Sequence, residues 1–212
     1  MEHSFEYCAL RYLLLWEQTD REIYESMQSD LSAEKIRSAL HSYRVSRTFK
    51  GIQDSDKSGL ILSALMSIDD KESLSPAEKV SFLVSEFSLG FGQANLSAAT
   101  KLLWFRYRSP FVILDARAVA GLKTLKYKFN AQDYAEYTSR WHDAYDEHKE
   151  KVSSAVSQLS LLQPFVSTWH KSSSSIDILV HEQWFLERVF DIYLWEIGEV
   201  TPKNKRPTLA DA

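Results

Sequence analysis

The sequence predicts an all-α fold, built as two helical lobes around one cleft, on three observations. Apolar residues recur at steps of three and four along most of the chain. Period-two alternation is scarce, and only six glycines and five prolines punctuate 212 residues.

The elements follow in order. Short helices are expected over about 4–17, 20–29, 32–47 and 57–68, separated by Ser29-Asp30, with Ser32 as a cap, and by Gly51 to Ser55. Ser75, Pro76 and Glu78 form a capping-box start for a helix reaching about Ser88. Gly90-Phe91-Gly92 stops it, and Asn95 or Ser97 caps the next helix, which carries Lys101. After a break at Ser109-Pro110 and the buried run Phe111–Leu114, Asp115 opens another helix. Asn130 then begins the longest periodic segment, a stripe from Tyr134 through Trp141 and Val152 to Leu162 that is expected to end at Pro164. A loop at Ser172–Ser175 leads into a last helix over about Ile178–Ile197, and Thr201–Ala212 is expected to be a flexible tail. The reading is one helical domain over 1–200, with N-terminal helices in 1–70, a hairpin and site region in 75–129 and C-terminal helices in 130–198.

Composition narrows the classes. Hydrophobic content of 44% and charged content of 25% are those of a globular protein. A single cysteine, Cys8, excludes a disulfide framework, and no apolar run approaches the ~18 residues of a membrane span. A cytoplasmic protein without membrane contact, and a monomer, is expected. A net charge of −4 argues against a nonspecific nucleic-acid coat protein. The charge is nevertheless segregated: residues 101–128 hold seven Lys/Arg and one acid, Asp115, whereas 133–150 are rich in Asp and Glu. Such a strip fits a phosphate footprint, and equally a solvated basic face.

Lys101 and Asp115 are the candidates for chemistry. A lysine beside apolar and aromatic surface has its amine pKa lowered by burial, and the neutral amine can form a Schiff base. The plain alternative is a helix lysine with a snorkelling stem. Asp115 suits an N-cap, a role that would also hold it ionised with one oxygen free. His142 and His148, six apart, lack a carboxylate at metal-ligand spacing, so no metal is expected. No phosphate loop is present, and Gly90-Phe91-Gly92-Gln93 lacks the preceding strand of a dinucleotide fingerprint, so no cofactor is expected. The aromatic stripe from Tyr134 to Tyr145 reads as core.

Ser97–Phe105 (SAATKLLWF), Pro110–Arg117 (P-x-x-I-x-D-x-R) and Arg188–Gly198 (R-V-F-D-x-Y-L-W-x-x-G) resemble elements of the helix-hairpin-helix DNA glycosylases, in particular the compact bacterial 8-oxoguanine DNA glycosylase-fold proteins. The resemblance spans about Leu60 to Gly198, and its sharp part is near 30 residues. It implies a DNA glycosylase/AP lyase acting on a damaged or modified purine, in repair or antiphage defence, with DNA and proteins of a defence operon as partners. Lys101 would attack C1′, and Asp115 would position and deprotonate it or stabilise the oxocarbenium charge. The hairpin Gly90, Gly92, Asn95 and Ser97 would meet a DNA phosphate. Arg106, Arg108, Arg117, Lys123, Lys126 and Lys128 would hold the backbone, and Phe91 or Trp104 would stack on a base. This chain differs from the superfamily pattern in placing eight residues between Gly92 and Lys101, and in a Lys-to-Asp separation of 14. The alternative is a non-catalytic helical module that binds nucleic acid or protein.

Overall fold

The computed structural model describes residues 4–29, 31–45, 49–52, 54–166 and 176–198. It is all-α, with no strand among the described residues. The expected tail and serine loop lie outside them. The helices are α1 (Phe5–Leu15), α2 (Arg21–Ser29), α3 (Ala33–Ser42), α4 (Ser55–Met66), α5 (Pro76–Phe91), α6 (Leu96–Tyr107), α7 (Ala116–Thr124), α8 (Tyr134–Ser157), α9 (Gln163–Val166), α10 (Ile176–Leu179) and α11 (Gln183–Ile197). A π-helical turn, Trp16–Asp20, joins α1 to α2, and a 3₁₀ turn, Gln158–Leu162, follows α8.

Local chemistry sets most of the boundaries. Ser4, Ser32, Asn95 and Asp133 each accept a backbone N–H at a helix start, worth about 1 kcal/mol apiece. At α5 the capping box forms in both directions, since Ser75 and Glu78 exchange side-chain-to-backbone bonds. Gly92 ends α5 at φ +66°, in the left-handed region that glycine enters without a Cβ penalty.

Several boundaries differ from expectation: α5 runs on through Gly90 and Phe91 to Gly92, and α8 starts at Tyr134 behind the Asp133 cap rather than at Asn130. The helix expected over 32–47 stops at Ser42, because Arg44 takes φ +57° and turns the chain away. The long stripe breaks at Ser157, and Pro164 lies in the first turn of α9, where a missing N–H costs nothing. The last helix divides at Val180–Glu182 into α10 and α11.

Two groups of helices pack around one cleft. In one, α1 lies against α8 and α11, and α11 against α7 and α8. In the other, α2, α3 and α6 pack mutually, with α4 on α3 and α5 on α4 and α6. The lobes therefore do not follow chain order: the N-terminal helix belongs with the C-terminal ones. The closest crossing is α7 on α11. A Cβ on Gly121 would lie 2.2 Å from the Leu194 carbonyl oxygen, and one on Gly198 would lie 2.0 Å from that of Arg117. Backbone meets backbone there, so no side-chain shift can relieve an added methyl.

Arg108 ties the second lobe to α11. Its guanidinium lies 3.4 Å from the Tyr24 ring centre and 3.7 Å from that of Trp184, with Trp16 at 5.0 Å.

Gly121→Ala is expected to lower stability by about 2–3 kcal/mol through overpacking. Gly59→Ala, inside α4 with nothing within 4 Å of the new methyl, is expected to be neutral or to stabilise by up to about 1 kcal/mol. Urea unfolding of the two variants measures both values.

Candidate active site

The site is built on a short extended segment. Phe111–Leu114 is buried yet pairs with no strand, so its peptide groups must find other partners. Side chains supply them. The Tyr134 hydroxyl accepts from Val112 N–H and donates to Val112 C=O. Tyr137 Oη donates to the Ile113 carbonyl at 2.9 Å, and Thr100 Oγ1 accepts from Leu114 N–H at 3.1 Å. Two α8 tyrosines and one α6 threonine thereby fix the segment that delivers Asp115 to the start of α7. There Asp115 Oδ1 accepts the N–H groups of Arg117 and Ala118, each at 2.9 Å. Its second oxygen has no hydrogen bond to a described residue.

Lys101 sits one turn into α6 and is only 5% exposed. Burial pushes its amine below the usual lysine range; Asp115 opposes this shift, Arg188 adds to it and Asp191 opposes it. The amine donates to Ser97 Oγ at 2.7 Å. Among the described residues no ion pair joins it to Asp115.

Lys101 and Asp115 line the same cavity, of about 490 Å³, between the two lobes. That volume lies within the range of small-ligand pockets. Arg11, Arg44, Ile113 and Trp195 complete its sides, with Ser97 beside the lysine and Arg188 and Asp191 also on the wall. Arg188 bonds Asp191 at 2.7 Å and the Tyr43 hydroxyl at 3.4 Å. Asp191 also accepts from Trp141 Nε1, and Tyr43 donates to Asp20 at 2.6 Å. This chain of buried polar groups runs from α8 to the turn at Asp20 and links the lobes beside the cavity.

Several of the expected site residues lie away from the cavity or are held by other groups. Trp104 is 1% exposed in the core, edge-on to Phe105, and does not line the cavity, so it offers no base a face. Phe91 packs on Phe49 and likewise lies outside the cavity. Arg106 is committed to the Met27 carbonyl and to Asp69, and Arg108 to its aromatic box, so neither is a free phosphate ligand. Gly90 lies within α5, against Leu60, and Gly92 N–H is spent on Ser88 C=O. Asn95 caps α6, and Ser97 serves Lys101. The hairpin residues thus hold the helices and the lysine.

Other residues stay available. Arg117 stacks on Trp195 at 3.5 Å and bonds Gly198 C=O through Nε, leaving its terminal nitrogens without a partner among the described residues. Lys123, in the last turn of α7, and Lys126 and Lys128, beyond its end, are exposed.

Arg11, Tyr43 and Arg44 were not singled out in the sequence, and Arg188, Asp191 and Trp195 stood in the Arg188–Gly198 motif without a site role. Arg188 and Asp191, three apart and flanked by Val189, Phe190 and Ile192, carried a readable signal. Among the described residues no His/Cys/Asp/Glu group suits a metal ion, and no helix is long and apolar enough to cross a membrane. Comparison with protein-family models, curated proteins and solved structures finds no match to this chain.

Asp20 provides a test of the buried network. Burial pushes its carboxyl up to about 6, against the pull of Arg188 and the Tyr43 hydroxyl. A carboxyl raised on folding contributes stability below its unfolded pKa, near 3.9, and loses it as pH rises through about 6. Wild type should lose about 2–3 kcal/mol from this group between pH 4 and 7. Asp20→Asn should remove this share of the slope in pH-dependent urea unfolding and leave that of Asp191, whose carboxyl burial also pushes up to about 6.

Proposed function

We propose that this protein is a DNA glycosylase/AP lyase-like enzyme of helix-hairpin-helix type, acting on a damaged or modified purine. The observation that carries the reading is that a buried lysine and a helix-capping aspartate line one cavity between two helical lobes. The resemblance around Lys101, Asp115 and Arg188–Gly198 supplies the reaction.

In this reading DNA lies across the cleft mouth, with Lys123, Lys126 and Lys128 and the free end of Arg117 on its phosphates. The target nucleotide turns out of the stack into the cavity. The neutral Lys101 amine forms a bond to C1′ while the glycosidic bond breaks and its electron pair leaves with the base. Asp115 stands opposite the positive charge that develops on the sugar. Its Oδ1 is anchored by two N–H groups, so the carboxylate needs little reorganisation as that charge forms. Loss of an Nζ proton and opening of the sugar ring give the Schiff base from which the strand is cleaved. A role in repair or antiphage defence, with partners from a defence operon, follows from the resemblance alone.

The test is borohydride trapping on a duplex containing 8-oxoguanine and on one containing an abasic site. Wild type should give a covalent adduct on at least the abasic duplex. Lys101→Ala should give none, and Asp115→Asn should form it about 10²-fold more slowly or worse. Wild-type protein that binds DNA but is never trapped would replace the enzyme with a binding module. That binding should then survive Lys101→Ala and weaken, with a shallower salt dependence, when Lys123, Lys126 and Lys128 are replaced.

A further inference from the structure

The cavity surrounds the Lys101 amine with charge from every wall: Arg11 of α1, Arg44 after α3, Asp115 before α7, and Arg188 and Asp191 of α11. Its one protein hydrogen bond among the described residues is to none of these. It is to the hydroxyl of Ser97, at 2.7 Å.

The two share a face of α6 because residues four apart stack along a helix. Thr100, the other hydroxyl on this turn, is already held by Leu114 N–H. The Tyr43 hydroxyl donates to Asp20. Ser97 accepts from Nζ and donates its own proton to no described group, so that proton is free to be passed on.

The chemistry of the covalent step needs such a relay. When the amine has bonded to C1′, Nζ carries a positive charge and two hydrogens. To form the C1′=Nζ iminium, one of those protons must leave, the nitrogen lone pair must form the double bond, and the oxygen departing from C1′ must gain a proton. Direct transfer from Nζ to that oxygen passes through a strained four-membered ring of N, C, O and H. An interposed hydroxyl enlarges it to six members. A group that acts in this way must lie about 2.6–3.2 Å from the proton donor, and Ser97 does.

We propose that Ser97 is the proton-transfer partner of Lys101: its hydroxyl takes a proton from Nζ and passes its own to the oxygen leaving C1′. The hydroxyl is regenerated, one proton has moved from nitrogen to oxygen, and no other reactant is consumed. The departing oxygen is the ring oxygen after base excision, or the C1′ hydroxyl when the substrate is an abasic aldehyde. The proposal rests on the glycosylase/lyase reading.

An abasic duplex isolates this step from base excision. Single-turnover borohydride trapping would be followed from pH 5.5 to 9 for wild type, Ser97→Ala and Ser97→Thr, with DNA binding and thermal melting measured alongside. Ser97→Ala should bind and melt as wild type, form the adduct about 10²-fold more slowly and change the pH profile, while Ser97→Thr stays within a few-fold of wild type. Trapping by Ser97→Ala at the wild-type rate and with the wild-type pH profile would overturn the proposal and leave the lysine reading standing. So would equal slowing in a well-folded Ser97→Thr, since packing rather than the hydroxyl would then matter. Wild type that forms no adduct would remove both the proposal and the reading beneath it.

Discussion

The structure depends on the satisfaction of four buried residues of extended backbone. Phe111–Leu114 passes through the core without a sheet partner, and an unpaired peptide group there would cost about 1–3 kcal/mol. The hydroxyls of Tyr134, Tyr137 and Thr100 meet that cost. Each belongs to a helix whose placement is thereby tied to the segment: α8 through the tyrosines, α6 through the threonine. Thr100 is the immediate neighbour of Lys101, and Leu114 of Asp115. The hydrogen bond between Thr100 and Leu114 therefore sets the register of lysine against aspartate across the two lobes.

The second constraint is the contact of α7 with α11. Gly121 and Gly198 let the two backbones touch, which brings Arg188 and Asp191 to the cavity that Asp115 enters. The result is a cleft of about 490 Å³ whose walls hold arginine, lysine and aspartate side chains together. Charges in such a place interact far more strongly than at the surface. Arg188 is fixed by Asp191 and Tyr43, so it cannot swing to Asp115, and the lysine amine is left with a neutral hydroxyl as its partner. Burial therefore works against the charged form of this lysine, while Asp115 and Asp191 work for it.

What was legible in the sequence was local. The capping box at Ser75 and Glu78, the Asn95 and Asp115 caps, and the stop at Gly92 are short-range chemistry, and each appears where its residues stand. The pairing of Lys101 with Asp115 in one cavity was anticipated from their contexts and from the family resemblance. The rest was tertiary. Nothing near Gly121 or Gly198 in sequence signals that another backbone lies against it. Arg106 and Arg108 read as surface cations because their partners, Asp69 and Tyr24 with Trp184, are remote along the chain. Trp104 read as a stacking platform because helical spacing alone does not say which aromatic face the core takes. Arg44 ends α3 early with a backbone turn that no residue type announced.

The central claim is that burial in the cleft holds the Lys101 amine below the usual lysine range. Reductive methylation with ¹³C-formaldehyde, followed by NMR titration of the dimethyl-lysine resonances and assigned with Lys101→Ala, measures this without DNA. The Lys101 resonance should titrate below the usual lysine range. A Lys101 resonance that titrates in the usual lysine range would contradict the account.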